Sequence, residues 1–263
     1  MANATERMID LAMEQAAPAD ANPFTGRLAE EYGLLTTICP NAAELTRRFA
    51  DRIGSWRRRT SPAGSAGGPL LGIEIGCGTG RSTLSLLESR SDLKLVAIDS
   101  SAAMLEQAEE NLAQWVDAGR VVFIDADALD FLKSHPDASA DLVVSNYAIH
   151  NFEDDYRRRV HAEIFRLLEP GGLFVNADRY AFDDPARHLA ETQADLRRWF
   201  RIFEEMQRYD LLEDWVVHLF GDESPQRIMR LTPALEHLRE VGFAPVNVEF
   251  REGVDTLVTA GKP

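Results

Sequence analysis

The sequence is poor in cysteine and has no long apolar run. Its 263 residues include two cysteines, Cys39 and Cys77, and Cys77 falls within a run of glycines, where a disulfide would distort the turn. This usage favours a reducing compartment over a disulfide scaffold. No apolar stretch approaches the roughly 20 residues that a membrane-spanning helix needs, and the N-terminus lacks the basic and apolar segments of a signal peptide. We therefore expect a cytoplasmic protein with no membrane partner.

Basic residues are also in short supply. Lys and Arg number 28 against 43 Asp and Glu, which gives a formal net charge of −15 at pH 7. An acidic surface repels phosphate backbones, so the composition argues against nucleic acid as the main partner. The one strong basic cluster near the N-terminus, Arg57-Arg58-Arg59, is interpreted as a solvated helix end.

Strand and helix patterns alternate through the middle of the chain. Short apolar runs predict strands at residues 70–75, 93–98, 121–124, 141–145 and 172–177. Helical periods predict helices at 82–89, 102–118 and about 154–168. Buried strands joined by crossover helices indicate a mostly parallel sheet with helices on both faces. Two further predicted strands, 246–250 and 256–260, close the chain.

Two segments interrupt this alternation. Residues 61–69 are rich in Gly, Pro and Ser, which is typical of a flexible linker. Before it, apolar residues recur at helical spacing, at Leu28, Tyr32, Leu35 and Ile38. Residues 184–240 are nearly all helical in character, with possible breaks at Gly221 and Pro225. The apolar stripe of this insertion, which includes Trp199, Phe203 and Met206 and recurs at Trp215, Val216 and Phe220, either lines a ligand pocket or packs the insertion against the sheet.

A glycine loop follows the first predicted strand. Gly76, Gly78 and Gly80 alternate along it, and glycine permits a tight turn with positive φ and a close approach of a ligand to the backbone. Alone, such a loop is also compatible with an ordinary turn between strand and helix. A nicotinamide-binding fingerprint needs a third small residue at position 81, where Arg81 stands.

Carboxylates follow the next two predicted strands. Asp99 ends the second strand, where a carboxylate is suited to accept from the hydroxyls of a ribose. Met104 is placed to lie against an adenine face as a polarizable contact. Asp127 is suited to accept from an adenine amino group, and the amide of Ala128 is suited to donate to the ring.

Together with the turn Leu168-Glu169-Pro170-Gly171-Gly172, these motifs resemble those of class I S-adenosylmethionine (SAM)-dependent methyltransferases, over about residues 70–178. The resemblance implies an α/β, Rossmann-like sheet of seven mostly parallel strands whose last strand is antiparallel, with SAM as cofactor and S-adenosylhomocysteine as product. It also implies that Glu74 orients the loop and the methionine amino group. The cofactor-binding residues carried over to this chain are Glu74, Gly76, Cys77, Gly78, Gly80, Asp99, Ser100, Met104, Asp127, Ala128 and Asn146.

The sequence patterns and the resemblance together predict how the chain is divided into segments. We expect a helical N-terminal lid segment at residues 1–60, a linker at 61–69, a SAM-binding core at 70–183, a helical cap insertion at 184–240 and C-terminal strands at 241–263 that complete the core sheet.

Three residues after the fourth and fifth predicted strands are candidates for catalysis. His150 is a general base or a structural histidine. Tyr147 lines the methyl-transfer channel or is a packed aromatic residue. Arg179 pairs with an acceptor carboxylate or with Asp178 or Asp183. No histidine- or sulfur-rich ligand cluster stands out, so no metal is predicted.

The leading hypothesis is in-line methyl transfer to a small-molecule acceptor. One alternative is an enzyme of the carboxy-SAM synthase type, in which Arg179, Arg198 or Arg201 holds a carboxylated donor. Another is a SAM-binding protein without catalytic activity. The acceptor, the methylated atom and a homodimer formed through the cap are left open.

Overall fold

The computed structural model describes residues 35–58 and 68–263. Leu28, Tyr32, Arg59 and most of the predicted linker lie outside the described residues. Within the described part, no helix is long and apolar enough to cross a bilayer.

A seven-stranded sheet forms the centre of the molecule, in the order β3-β2-β1-β4-β5-β7-β6. Neighbours from β3 to β5 are parallel, and β7 is antiparallel to both β5 and β6. The predicted sheet, with its antiparallel last strand, is therefore confirmed. The strands are β1 (Leu70–Ile75), β2 (Leu93–Asp99), β3 (Val121–Asp125), β4 (Ala140–Asn146), β5 (Leu168–Arg179), β6 (Val246–Glu252) and β7 (Asp255–Gly261).

Helices cover both faces of the sheet. They are α1 (Leu35–Ile38), α2 (Ala42–Ser55), α3 (Arg81–Ser89), α4 (Ala102–Asn111), α5 (Ala113–Asp117), α6 (Ala128–Ser134), α7 (Asp154–Leu167), α8 (Pro185–Met206), α9 (Tyr209–Asp222) and α10 (Leu231–Val241). The strand order reverses between β1 and β4, because β2 and β3 lie on one side of β1 and β4 and β5 on the other. In open α/β sheets, this reversal places a crevice at the carboxyl ends of the strands.

Every residue of β1 is buried, as expected for a central strand covered on both faces. Successive side chains of the central strands point to opposite faces of the sheet and enter two separate apolar clusters. Ile73 of β1 and Val143 of β4 belong to one cluster, and Leu142 and Val144 of β4 belong to the other. A third cluster joins Ile38 to the aromatic stripe of α8 and α9, with Trp199, Phe203 and Trp215 as its largest members. This stripe packs around Ile38, so α1 is tied to the cap.

Three local features differ from the sequence prediction. The helix predicted at 102–118 divides at Leu112, whose side chain is buried against Gly80 of the glycine loop. The fifth strand begins at Leu168 rather than at residue 172, because Leu168 already pairs with Ala140 of β4 before the register shifts. Helix α6 was not predicted.

The insertion between β5 and β6 contains more than the two cap helices α8 and α9. After α9, the chain returns to the core through a bridge between Ala181 and Arg230. Helix α10 then packs against α7 and β6, and its Leu238 belongs to the same apolar cluster as Ile73.

Candidate active site

The glycine loop between β1 and α3 has a backbone that only glycine adopts easily. Gly76, Gly78 and Gly80 have φ values of 70°, 54° and 81°. A Cβ added to Gly76 would lie 2.2 Å from the Cβ of Ala148. The amides of Gly76 and Cys77 both donate to the carbonyl of Ile98, at 2.8 and 3.1 Å, which ties the loop to β2. Shape and hydrogen bonds together hold the loop in place.

Glu74 lies beneath this loop and has no exposed surface. Its two carboxylate oxygens accept from the hydroxyls of Ser82 and Thr83, each at 2.6 Å. Burial raises the pKa of Glu74 to about 7, although these two hydrogen bonds favour the charged form. In this structure, Glu74 therefore connects β1 to the first turn of α3.

Asp99 joins the glycine loop to the loop after β2. Its Oδ2 accepts from the amide of Gly78 at 2.8 Å, and its Oδ1 accepts from the amide of Ser101 at 2.9 Å. Ser100 is half-buried next to it. Met104 is buried with its sulfur facing Gly78, 3.6 Å from where a Cβ would stand. Three of the predicted cofactor residues, Gly78, Asp99 and Met104, thus lie within one contact network.

Asp127 begins α6 as its N-cap. Its Oδ1 accepts from the amide of Asp130 at 3.0 Å, and its Oδ2 accepts from the hydroxyl of Tyr156 at 2.8 Å. Ala128 is buried in the first turn of this helix. An adenine-binding role for Asp127 and Ala128 stays a prediction.

A cleft of about 550 Å³ separates the glycine loop from α2. Of the predicted residues, Gly76, Cys77, Gly78, Asn146 and Tyr147 line it. The opposite wall was not predicted and consists of small or polar residues on one face of α2: Ala42, Ala43, Thr46, Arg47, Ala50 and Asp51. Their helical spacing is visible in the sequence, but nothing local indicates which element this face covers.

Asn146 links the two walls of the cleft. Its Nδ2 donates to the hydroxyl of Thr46 at 3.0 Å. Its Oδ1 is buried and has no hydrogen-bond partner among the described residues. A buried acceptor without a partner, beside a cradle that admits only glycine, fits a ligand that brings its own donor groups.

Tyr147 has a positive φ of 55° at the end of β4. Its hydroxyl donates to Oδ1 of Asp255 at 2.8 Å, and Oδ2 of Asp255 accepts from Asn41 at 3.2 Å. Burial and the charge of Asp255 raise the pKa of Tyr147 well above its usual range. The phenol therefore stays protonated and acts as a hydrogen-bond donor at the cleft edge.

His150 lies outside the 550 Å³ cleft, in a short turn after β4, and is buried. Its Nδ1 lies 2.5 Å from Oδ1 of Asp178, and its backbone amide donates to Oδ2 of the same carboxylate at 3.1 Å. Burial alone would lower the pKa of His150, but Asp178 and then Asp222 outweigh it, so the pKa is raised. The other ring nitrogen, Nε2, lies 3.7 Å from Oδ2 of Asp222 on the cap.

Arg179 borders the same small cavity as His150. Its guanidinium lies 3.7 Å from Glu223, whose second oxygen lies 2.6 Å from Nε2 of His188. Burial would lower the pKa of Arg179, but Asp222 and other carboxylates raise it above its usual range, so the side chain stays cationic. Among the described residues, its guanidinium thus forms an ion pair with Glu223 and not with Asp178 or Asp183.

Known proteins share both the sequence pattern and the fold. Residues 73–172 match the sequence model of a family described as "Methyltransferase domain". An uncharacterised methyltransferase of Geobacillus kaustophilus is 30% identical over 175 residues, which are 66% of this chain and 77% of that protein. A carboxy-S-adenosyl-L-methionine synthase of Shewanella loihica is 32% identical over 186 residues, 68% of this chain and 70% of that protein.

A solved structure extends the likeness in fold to nearly the whole chain. The 1,6-didemethyltoxoflavin-N1-methyltransferase of Burkholderia thailandensis, with 1,6-didemethyltoxoflavin and S-adenosylhomocysteine bound, superposes with a TM-score of 0.53. It is 19% identical, and the match covers 94% of each chain. The chain therefore belongs to the class I SAM-dependent methyltransferases, and its cofactor is SAM.

Proposed function

We propose that this methyltransferase acts on a small-molecule acceptor that enters the cleft between α2 and the glycine loop. The observation that carries the proposal is the cleft itself, where Gly76, Gly78, Asn146 and Tyr147 face the wall of α2. Its volume of about 550 Å³ lies in the usual range of small-molecule sites.

The residues around the cleft are suited to positioning. SAM supplies a methyl group on a sulfonium, which an acceptor removes by in-line displacement. Thr46 and Asn146 hold the two walls together, and Asp255 fixes the phenol of Tyr147. Holding reactants in line is worth several kcal/mol. A base role for His150 stays a prediction, because Nε2, the nitrogen that Asp178 leaves open, faces the cap.

Charge and composition support a small acceptor over a nucleic acid. The net charge of −15 opposes binding to a phosphate backbone. We also propose a cytoplasmic location, which Cys39 and Cys77 support because both are free thiols. A homodimer formed through the cap is supported by exposed apolar side chains on α8 and α9, namely Leu189, Phe200, Val217 and Phe220.

A carboxy-SAM synthase activity is the second candidate, and the Shewanella loihica relative is the observation that favours it. Such an enzyme needs a cationic side chain that binds the carboxylate of a carboxylated donor. Of the three arginines considered, Arg198 lies 2.8 Å from Asp195 and Arg201 is exposed. Arg179 borders an internal cavity and is the best placed.

SAM carrying a tritiated methyl group separates these functions. The purified protein would be incubated with labelled SAM and small-molecule extracts fractionated by chromatography. For the proposed function, label moves into an acceptor fraction as S-adenosylhomocysteine accumulates. For a carboxy-SAM synthase, the methyl group becomes a carboxymethyl group and loses one of its three hydrogens, so part of the tritium is released to water and the rest stays on a SAM derivative of higher mass. Tight SAM binding without either product would indicate a SAM-binding protein without catalytic activity and would refute the proposal.

A matched pair of substitutions tests where the acceptor and donor bind. Ala43 is exposed and lines the cleft on α2, whereas Ala113 is exposed on α5 outside it. Ala43→Trp should fill the cleft and reduce methyl transfer at least about tenfold, because a large side chain there displaces a reactant from its aligned position. Ala113→Trp should leave the rate unchanged. Equal rates in the two variants would place the site elsewhere.

A further inference from the structure

A cluster of potential metal ligands lies where the cap meets the core. His150 comes from the turn after β4, and His218 and Asp222 come from successive turns of α9. One nitrogen or oxygen of each side chain lies within 4.8 Å of the other two. The cleft that holds Asn146 and Tyr147 has a different lining, so this cluster is a separate feature.

The distances suit a metal ion better than direct hydrogen bonds. Oδ2 of Asp222 lies 3.4 Å from Nε2 of His218 and 3.7 Å from Nε2 of His150. Bonds of about 2.0–2.1 Å in tetrahedral geometry separate neighbouring ligands by roughly 3.3 Å. The two distances from Asp222 are therefore close to those between ligands of one tetrahedral ion, and the two histidine nitrogens lie within 4.8 Å of each other.

The outer side of His150 is arranged as it is in many metal centres. Its Nδ1 lies 2.5 Å from Asp178, which leaves Nε2 directed toward Asp222 and His218. A carboxylate that accepts from the far nitrogen fixes the tautomer and the orientation of a metal-binding imidazole. Asp178 therefore presents Nε2 as a ligand.

The charges around the cluster also call for a cation. Oδ1 of Asp222 is buried and has no hydrogen-bond partner among the described residues, which is costly for a carboxylate. Arg179 interacts electrostatically with Asp222, but Glu223 lies 3.7 Å from Arg179 and offsets part of its charge. Among the described residues no group donates to Oδ1 of Asp222, and a divalent ion would satisfy this carboxylate.

We infer that His150, His218 and Asp222 bind one divalent transition-metal ion, of the Zn²⁺ class, at the junction of core and cap. Two imidazoles and a carboxylate form a ligand set that suits such ions, and three protein ligands leave a fourth position open. Because His150 belongs to the core and the other two ligands to α9, the ion fastens the cap to the core. It also occupies the nitrogen that a base would need, so the metal site and a base role for His150 exclude each other.

The test uses the full chain without a histidine tag, stripped of metal with a chelator and then dialysed. Calorimetric titration with Zn²⁺ should show one equivalent bound, and Co²⁺ should give the visible absorption of a tetrahedral site. His218→Ala and Asp222→Asn should lose this binding. Asp178→Asn should weaken it by about 10- to 100-fold, as loss of a supporting carboxylate does.

A control variant and a folding check make the outcome decisive. His237→Ala removes a histidine on α10, away from the cluster, and should bind Zn²⁺ like the wild type. Each variant should still bind SAM, which shows that it is folded. Absence of Zn²⁺ binding by the wild type, or unchanged affinity in folded His218→Ala, would overturn the inference.

Discussion

Replacing Glu74 with glutamine tests how the glycine loop is supported. The carboxylate is fully buried and held by the hydroxyls of Ser82 and Thr83, each at 2.6 Å. Its pKa is raised from 4.5 to about 7 in the folded protein, chiefly by burial. Because the folded state keeps this proton to a higher pH than the unfolded state, ionisation of Glu74 destabilises the fold.

The sign and size of the effect follow from this shift. Below pH 4.5, Glu74 is protonated in both states and carries no penalty. Between pH 4.5 and about 7 the penalty grows by about 1.4 kcal/mol per pH unit, to a total of about 3 kcal/mol above pH 7. The neutral glutamine of Glu74→Gln has no such dependence. The free energy of unfolding of the variant, minus that of the wild type, should therefore rise with pH.

Urea unfolding of the SAM-free protein, followed by tryptophan fluorescence, measures this difference. Measurements from pH 5.5 to 8 avoid the isoelectric point of about 4.8. The difference should rise by about 2 kcal/mol across this range. Glu88→Gln, an exposed change on α3, the helix that carries Ser82 and Thr83, should give a constant difference. A constant difference for Glu74→Gln as well would refute the assignment of Glu74 as a buried group that ionises only near neutrality.

Three further predictions concern the loop and the cap. Asp99→Asn should weaken SAM binding by about 1–3 kcal/mol in calorimetry, because the amides of Gly78 and Ser101 lose a charged acceptor. The exposed change Asp130→Asn should leave the affinity unchanged. Equal SAM affinities of the two variants would contradict a role of Asp99 in SAM binding. Gly76→Ala should lower the free energy of unfolding in urea more than Gly119→Ala. Both glycines have positive φ, but only Gly76 has a neighbour that a Cβ would meet. Equal losses would mean that backbone strain alone sets the cost of an alanine at Gly76. Ile38→Ala should lower the free energy of unfolding by about 2–5 kcal/mol, because it leaves a cavity in the apolar cluster that joins α1 to the cap. A loss under about 1 kcal/mol would show that this contact is not essential.

The parts that could be predicted from the sequence depend on local patterns. Buried strands such as β1 are continuous apolar runs, and the sheet follows from their alternation with helices. The turn at Gly76 could be predicted because its φ and its missing Cβ are properties of one residue. Helix α6 is not predicted because it has only seven residues, too few for a clear helical period. Its capping residue, Asp127, resembles an adenine-binding residue as much as a helix cap.

The parts that could not be predicted depend on contacts between distant segments. The face of α2 that carries Thr46 has a helical period, but only the fold shows that it stands opposite Asn146. His218 and Asp222 are one helical turn apart, a spacing that is common on any helix. They become a candidate ligand pair only when the cap brings them to His150.

The features that could be predicted belong to the predicted donor site, and those that could not belong to the proposed acceptor site and the cap. The predicted donor side consists of loops at the ends of adjacent parallel strands, so each residue keeps its place relative to the sheet, as Asp99 does when it accepts from the amide of Gly78. The proposed acceptor side depends on α2 and the cap, which reach the sheet from distant parts of the chain. There, the proposed metal site would make the ring of His150, 3.7 Å from Asp222, a metal ligand rather than a base. The metal titration of His218→Ala therefore also tests the acceptor chemistry, which the glycine loop leaves open.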